Sequence, residues 1–306
     1  MLKNKFFIYL EAARYNQWIK NLVVFTSIIF SGHLLDSRAF FSALYAFLVM
    51  TLLSSASYIL NDILDYENDR NHPVKKNRPI ASGVLKLQEA SFLVFILSSS
   101  ALLLALFFSL SLFTVAILFL LLHFIYSLYF KKKPLYDIFS ISFSFVLRAF
   151  SGEVATGYHI PIWLLLTIFF ISLFMATVKR HAELVKIGTK ARPALSLYPE
   201  HLLYFLSTTF ATTTIISYSF YTYFEKPPLV KSPFSKLFSH FFPHFEARRW
   251  MMITIPLVVF GIARYAQLLY AKEEGEMPEK LIVTDKTLIS TILLWGIIII
   301  GLIYVF

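Results

Sequence analysis

The chain has 306 residues, of which 58% are hydrophobic, 18% aromatic and only 15% charged, with a mean hydropathy of +0.67. A soluble domain carries about 25% charged residues and has no interior large enough for this much apolar surface, so an ordinary cytosolic domain, a disordered chain and a nucleic-acid module are excluded. The absence of Cys excludes disulfides, thiolate metal sites and a cysteine nucleophile, and the net charge of +10 points to cytoplasmic loops and anionic lipid headgroups.

Taken in chain order, residues 1–17, with Lys3, Lys5, Glu11 and Arg14, read as an amphipathic lead-in at the interface and lack the small-residue cleavage site of a signal peptide. A bilayer takes about 20 apolar residues as a helix. On that measure about nine spans follow, at 18–36, 38–60, 85–108, 110–130, 137–157, 161–181, 201–224, 250–270 and 287–306. The expected fold is therefore all-α, a polytopic bundle that forms one integral membrane domain over 1–306. Residues 225–249, with four Pro and several aromatics, are expected to lie on the outer interface with no catalytic role.

Lys and Arg set the orientation. Of the 28 present, twenty fall in the N-terminal segment and alternate loops, six in the opposite loops, and Arg148 and Arg264 within spans. The N-terminus is expected on the cytoplasmic side of the inner (plasma) membrane and the C-terminus outside.

The most informative segment is NDILDYENDRNHPVKKNRPIASG, Asn61–Gly83. Asp62, Asp65 and Asp69 are spaced i, i+3, i+7, which on an α-helix places them within about 60° of one another. Asn61 lies one turn before Asp65. Three carboxylates at the end of a span repel one another and are costly beside lipid. Mg²⁺ relieves this, since it takes hard oxygen ligands and keeps positions for substrate phosphates. Asn61, Asp62, Asp65 and Asp69 are thus candidate metal ligands. The bland reading is a solvated acidic helix end. Against it stand Arg70, Lys75, Lys76 and Arg78, cations placed to meet a polyanion.

This NDxxDxxxD pattern, followed by a basic stretch and RPIASG, resembles the first motif of the UbiA-type prenyltransferase superfamily. The resemblance implies a UbiA-like bundle of about nine helices, opening to the cytoplasmic face, whose Asp-rich motifs bind Mg²⁺ and a diphosphate. Most members carry a second Asp-rich motif. Here Asp137 is present, but the position four later is Ile141. Lys131, Lys132, Lys133 and the mid-span Arg148 stand nearby instead. RYNQWIKN (Arg14–Asn21), YDIFSISFSFVLRAFSGEVA, MATVKRHAEL (Met175–Leu184), ARYAQLL, GEMPE and Asp285 are similar to the decaprenyl-phosphate phosphoribosyltransferase branch. That likeness implies transfer of 5-phosphoribose from phosphoribosyl pyrophosphate to a polyprenyl phosphate, with a product that feeds cell-envelope polysaccharide.

In such a reaction the carboxylates hold the metal, and Arg70, Lys75, Lys76 and Arg78 meet outer diphosphate oxygens. Lys20, Asn21 and Arg148 are expected to hold the anionic acceptor, with snorkelling at the interface the plain reading of Lys20 and pairing with Glu153 that of Arg148. Lys179, Arg180 and Glu183 are candidates for the ribose phosphate, and also read as a positive helix end. Asp137, Lys133 and Tyr126 are further substrate-side candidates. His72 and His181 lie near, and are as readily loop or cap residues. A homo-oligomer is compatible with the chain, although no heptad or small-residue seam argues for one. Two other functions stay open. One is prenyl transfer from a polyprenyl diphosphate to an aromatic or other acceptor. The other is transport of an anion, which predicts inverted repeats and charges at the bilayer midplane.

Overall fold

The computed structural model describes residues 5–72, 74–187, 197–225, 249–271 and 284–305. Lys3, Lys190, Arg192, Lys272, Lys280, the GEMPE segment and nearly all of the proposed outer interfacial segment lie outside them. Among the described residues there is no strand, and the helices are α1 (Lys5–Ala12), α2 (Thr26–Phe30), α3 (Ser37–Leu64), α4 (Tyr66–Arg70), α5 (Leu87–Phe108), α6 (Leu110–Leu128), α7 (Tyr136–Thr156), α8 (Ile162–Ile187), α9 (Glu200–Phe224), α10 (Ile255–Ala271) and α11 (Lys286–Ile300). Seven segments among them are long and apolar enough to cross a membrane: Ser37–Leu64, Leu87–Phe108, Leu110–Lys132, Tyr136–Thr156, Ile162–Val185, Trp250–Tyr270 and Lys286–Val305. The protein is an all-helical integral membrane protein.

The two other expected spans take different forms. Helix α9 runs the full expected length but is rich in hydroxyls. Thr208, Thr209, Thr213 and Thr214 each donate to the carbonyl four residues back, so the helix satisfies its own polar side chains. The expected span 18–36 is not one helix. Residues Tyr15–Phe25 wind as a 3₁₀ helix, α2 follows, and the chain turns at Gly32, whose φ is 78°.

The 3₁₀ winding has a cause in the side chains. At three residues per turn, positions three apart stack on one line. Trp18, Asn21 and Val24 form that line. Trp18 Nε1 donates to Ser55 Oγ at 3.1 Å, and Asn21 Nδ2 donates to Thr51 Oγ1 at 3.1 Å. Val24 meets Gly152 of α7 so closely that a Cβ on that glycine would fall 1.8 Å from the Val24 carbonyl oxygen. Gly152→Ala must therefore push the two backbones apart. We expect it to cost at least about 3 kcal/mol, the upper range for an overpacked core, read as a lowered melting temperature in detergent.

Two compact units can be traced. The first comprises Met1–Thr26 and Phe41–Gly157. Its main core joins Val24, Ala46, Val49, Met50 and Leu53 to Ala101, Ala105, Leu112, Ala116 and Phe119. Small residues let the helices approach closely where lipid offers no hydrophobic gain from association. A second cluster, Ala12, Ala13, Ile59, Ile80, Leu85 and Ala90, seats α1 against the end of α3.

The second unit comprises Ser27–Phe40 and Tyr158–Phe306. Within it Tyr218 of α9 bonds Thr254 Oγ1 at 2.6 Å and accepts from Trp295 Nε1 of α11 at 2.9 Å. Tyr304 donates to the carbonyls at the end of α2 and accepts from Leu34 N at 3.0 Å. Asp285 caps α11 through Leu288 N and also receives Arg264 Nη2 at 2.7 Å, which makes that pair a helix-terminal staple.

Candidate active site

The acidic segment begins inside α3 and continues past a turn at Asp65 into α4. Asp65 N bonds Asn61 O at 2.9 Å and Asp69 N bonds Asp65 O at 2.8 Å, so helical spacing carries across from α3 into α4. The acids expected on one stripe divide between partners: Arg78 joins Asp62 to Asp69, while Asp65 pairs with Lys131 and Asn61. After α4, His72 Nδ1 accepts from the backbone N–H groups of Val74 and Lys75 at 3.2 and 3.3 Å. That ring organises the loop that leads back to Arg78. A turn closed by Ser82 N on Arg78 O and by Leu85 N on Pro79 O follows, with Gly83 at φ 78°. The left-handed position needs glycine. RPIASG is thus the local code that returns Arg78 to the carboxylates.

Three cations meet three carboxylates. Arg78 Nη1 bridges Asp62 Oδ1 at 2.9 Å and Asp69 Oδ2 at 2.6 Å. Arg14 Nη2 also donates to Asp62 Oδ1. Lys131 Nζ reaches Asp65 Oδ1 at 2.6 Å and Asn61 Oδ1 at 3.2 Å, while Asn61 Nδ2 donates to Asp65 Oδ2 at 3.0 Å. The Asp62 and Asp69 side chains are each 5% exposed, Asp65 22%. At such depth a carboxylate without a counter-charge is costly, and charge-assisted hydrogen bonds offset that cost.

The donor set fits Mg²⁺ chemically: three carboxylates and a carboxamide, all hard oxygens. Among the described residues, however, no three Asp, Glu, His or Cys side chains stand together ready to hold a metal. Arg14, Arg78 and Lys131 lie among the oxygens instead. Metal entry thus requires those cations to let go.

Other expected residues divide by position. Lys75 is half-buried and Lys76 exposed on the basic loop. Arg70 is exposed and turns back onto Tyr66, 5.5 Å from its ring, away from the carboxylates. Lys133 lies 5.9 Å over the Tyr136 ring, so it is Lys131 that reaches the acidic cluster. Asp137 is buried in the first turn of α7, where the helix dipole favours a carboxylate. Tyr126 is half-buried on α6, with its ring 6.5 Å from that of His123. Lys20 donates to Gln17 Oε1 at 3.2 Å.

Two expectations are corrected. Asn21 and Arg148 were to meet an anionic substrate, and both are sealed inside the first unit, at 0% and 2% exposure. Asn21 Oδ1 accepts from Arg148 Nε at 2.7 Å and from Ser54 Oγ at 3.2 Å. Arg148 Nη1 donates to Ser144 Oγ, and the guanidinium lies 4.9 Å over Phe119 and 5.3 Å over Phe145. Arg148 ties α7 to the 3₁₀ segment and to α3, which is a positioning task. In the second unit, Arg180 is buried and donates to Glu183 Oε2 at 2.7 Å, beside a half-buried Lys179. His181 lies 3.6 Å from Glu200 Oε1 and packs against the rings of Tyr204 and Tyr270.

Sequence reasoning missed Arg14 and Lys131 as partners of the carboxylates. Arg14 was absorbed into an interfacial segment, and the KKK run gave no sign of which lysine turns inward. The signal available was charge balance: three buried acids need three bases, and the local basic stretch supplies one at bonding distance.

The UbiA prenyltransferase family is matched by residues 22–283. The chain belongs to that family. The decaprenyl-phosphate phosphoribosyltransferase of Corynebacterium glutamicum is 31% identical over 303 residues, covering 97% of this chain and 86% of that protein. The enzyme of the same name from Mycolicibacterium smegmatis is 31% identical over 295 residues, covering 94% and 89%. Among solved structures, a UbiA homolog from Archaeoglobus fulgidus bound to GPP and Mg²⁺ superposes with a TM-score of 0.70 at 17% identity, covering 96% of this chain and 99% of that one. The fold is thus the UbiA fold, and the protein is a transferase.

Proposed function

We propose that this transferase moves a 5-phosphoribosyl group from phosphoribosyl pyrophosphate to a polyprenyl phosphate and releases pyrophosphate. The observation that carries the reading is the identity of about a third to phosphoribosyltransferases over nearly the whole chain. Supporting it, Asp137 has Ile, not a second carboxylate, four residues on, which departs from a hold on prenyl diphosphate by two full acidic motifs.

Asn61, Asp62, Asp65 and Asp69 would hold Mg²⁺, which when bound neutralises diphosphate charge as the leaving group departs. Arg78 and Lys131, released from the carboxylates, would donate to diphosphate oxygens. Lys75 and Lys76 extend the same basic loop. An oxygen of the lipid phosphate bonds to the anomeric carbon as the carbon–oxygen bond to the diphosphate breaks. That phosphate is already ionised at neutral pH, so the step asks for no strong base. This agrees with a cluster whose carboxylates are all engaged by cations. The apolar outer faces of the helices, such as Phe92, Phe95 and Phe107 on α5, suit an enzyme whose acceptor lives in the bilayer. The Lys and Arg distribution orients the N-terminus and the basic loop to the cytoplasm and the C-terminus outward.

The test is to incubate purified protein, Mg²⁺ and polyprenyl phosphate with phosphoribosyl pyrophosphate labelled in the ribose. Label is expected to enter the lipid phase with stoichiometric pyrophosphate release. Unlabelled lipid, together with prenyl transfer to an aromatic acid from a polyprenyl diphosphate, would replace this reading with prenyl transfer.

A further inference from the structure

Arg14 is one of two described residues other than glycine with a positive φ. Its φ and ψ are 53° and 54°, in the left-handed region. For a residue with a Cβ that conformation costs roughly 1–2 kcal/mol. Such strain persists where surrounding structure holds it, and it gathers at functional positions. Here it ends α1, starts the 3₁₀ segment, and turns the side chain inward. The guanidinium lies 5.2 Å over the Tyr58 ring and donates to Asp62 Oδ1.

That oxygen is already the acceptor of Arg78 Nη1 at 2.9 Å. Two guanidinium groups therefore crowd one carboxylate oxygen, and Arg78 alone already joins Asp62 to Asp69. Like charges this close repel, more strongly out of bulk water than in it. At rest Arg14 supplies the second positive charge for the two carboxylates that Arg78 joins. A site that receives a polyanion gains a donor held ready beside it.

We propose that Arg14 is a diphosphate-binding residue that changes partners as the site fills. When a divalent cation takes Asp62, Arg14 moves from the carboxylate to a diphosphate oxygen. The inference rests on the function proposed above, since it needs a site that takes metal and diphosphate together. It has a consequence of definite sign. Arg14 competes with the metal when metal comes alone, and supports binding when diphosphate comes with it. A residue that only held the fold would support both.

Two binding constants test this on the full chain in detergent. One is for Mn²⁺ alone, read by electron paramagnetic resonance. The other is for radiolabelled inorganic pyrophosphate at saturating Mg²⁺. Arg14→Gln is expected to bind Mn²⁺ several-fold more tightly and pyrophosphate about tenfold more weakly, the size of one charge-assisted hydrogen bond. Arg14→Lys falls between it and wild type on both. Arg14→Gly accepts the left-handed backbone without strain and repeats the Gln result, which separates a lost donor from a disturbed fold. Both constants unchanged, or both weakened together, overturn the assignment. Wild-type protein without magnesium-dependent pyrophosphate binding would overturn the functional reading and this inference with it. Wild-type binding that Arg14→Gln retains in full overturns the Arg14 assignment alone.

Discussion

Asp65→Asn protein is expected to transfer phosphoribose about a thousandfold more slowly than wild type, the scale on which one electrostatic contributor is lost, while its melting temperature falls only modestly. Asp65 is the cleanest of the three carboxylates to remove. It is the most exposed of them and faces a single cation, Lys131, with Asn61 as a second partner. An Asn at 65 can still accept from Lys131 Nζ through its one amide oxygen, and only the bond from Asn61 Nδ2 is lost, since two NH2 groups then meet there. The expected stability cost is about 1–2 kcal/mol, below the ~3–5 kcal/mol of a fully buried pair, because the Asp65 side chain is 22% exposed. Asp62 offers no such separation, because its removal leaves Arg14 and Arg78 facing one another across an empty position. Near-normal turnover by Asp65→Asn would dismiss Asp65 as a metal ligand.

Arg148→Ala is expected to fail in the opposite way. The truncation deletes the donors to Asn21, Ser54 and Ser144, empties the space beneath Phe119 and Phe145, and leaves the buried Asn21 Oδ1 with the Ser54 hydroxyl in place of a charged donor. Breaking a buried charged network of this kind costs about 3–5 kcal/mol. Melting temperature and folded yield should fall sharply. Whatever protein remains folded should keep its KM for polyprenyl phosphate. A raised KM with unchanged melting would return Arg148 to the acceptor site. Arg148→Lys should recover little, since a lysine ammonium cannot reproduce the planar fork that spans Asn21 and Ser144.

These two residues mark what could be read from the chain. The helices were legible because span length and apolarity are local properties, and α3 and α5 to α11 begin and end within six residues of the expected bounds. The carboxylate stripe was legible for the same reason, as helical spacing converts directly into a shared face. Arg148 was visible as costly, yet its purpose was not. A mid-span arginine signals only that something repays its burial. That the partner is Asn21, 127 residues away, is a fact of tertiary packing. The 15–25 segment failed for a related reason. Its key side chains recur every three residues, and a search tuned to 3.6 residues per turn or to a plain apolar run passes over them.

The 3₁₀ segment also acts as a ruler. One of its ends is pinned by Trp18, Asn21 and Val24, and the other delivers Arg14 to Asp62. In such a helix each residue turns the chain by about 120°. A single residue inserted between Arg14 and Trp18 would leave the pinned end in place and swing the guanidinium a third of a turn away from the carboxylates. The four-residue interval between Arg14 and Trp18 is therefore a dimension of the site, one that tolerates exchange of side chains far better than a change in length.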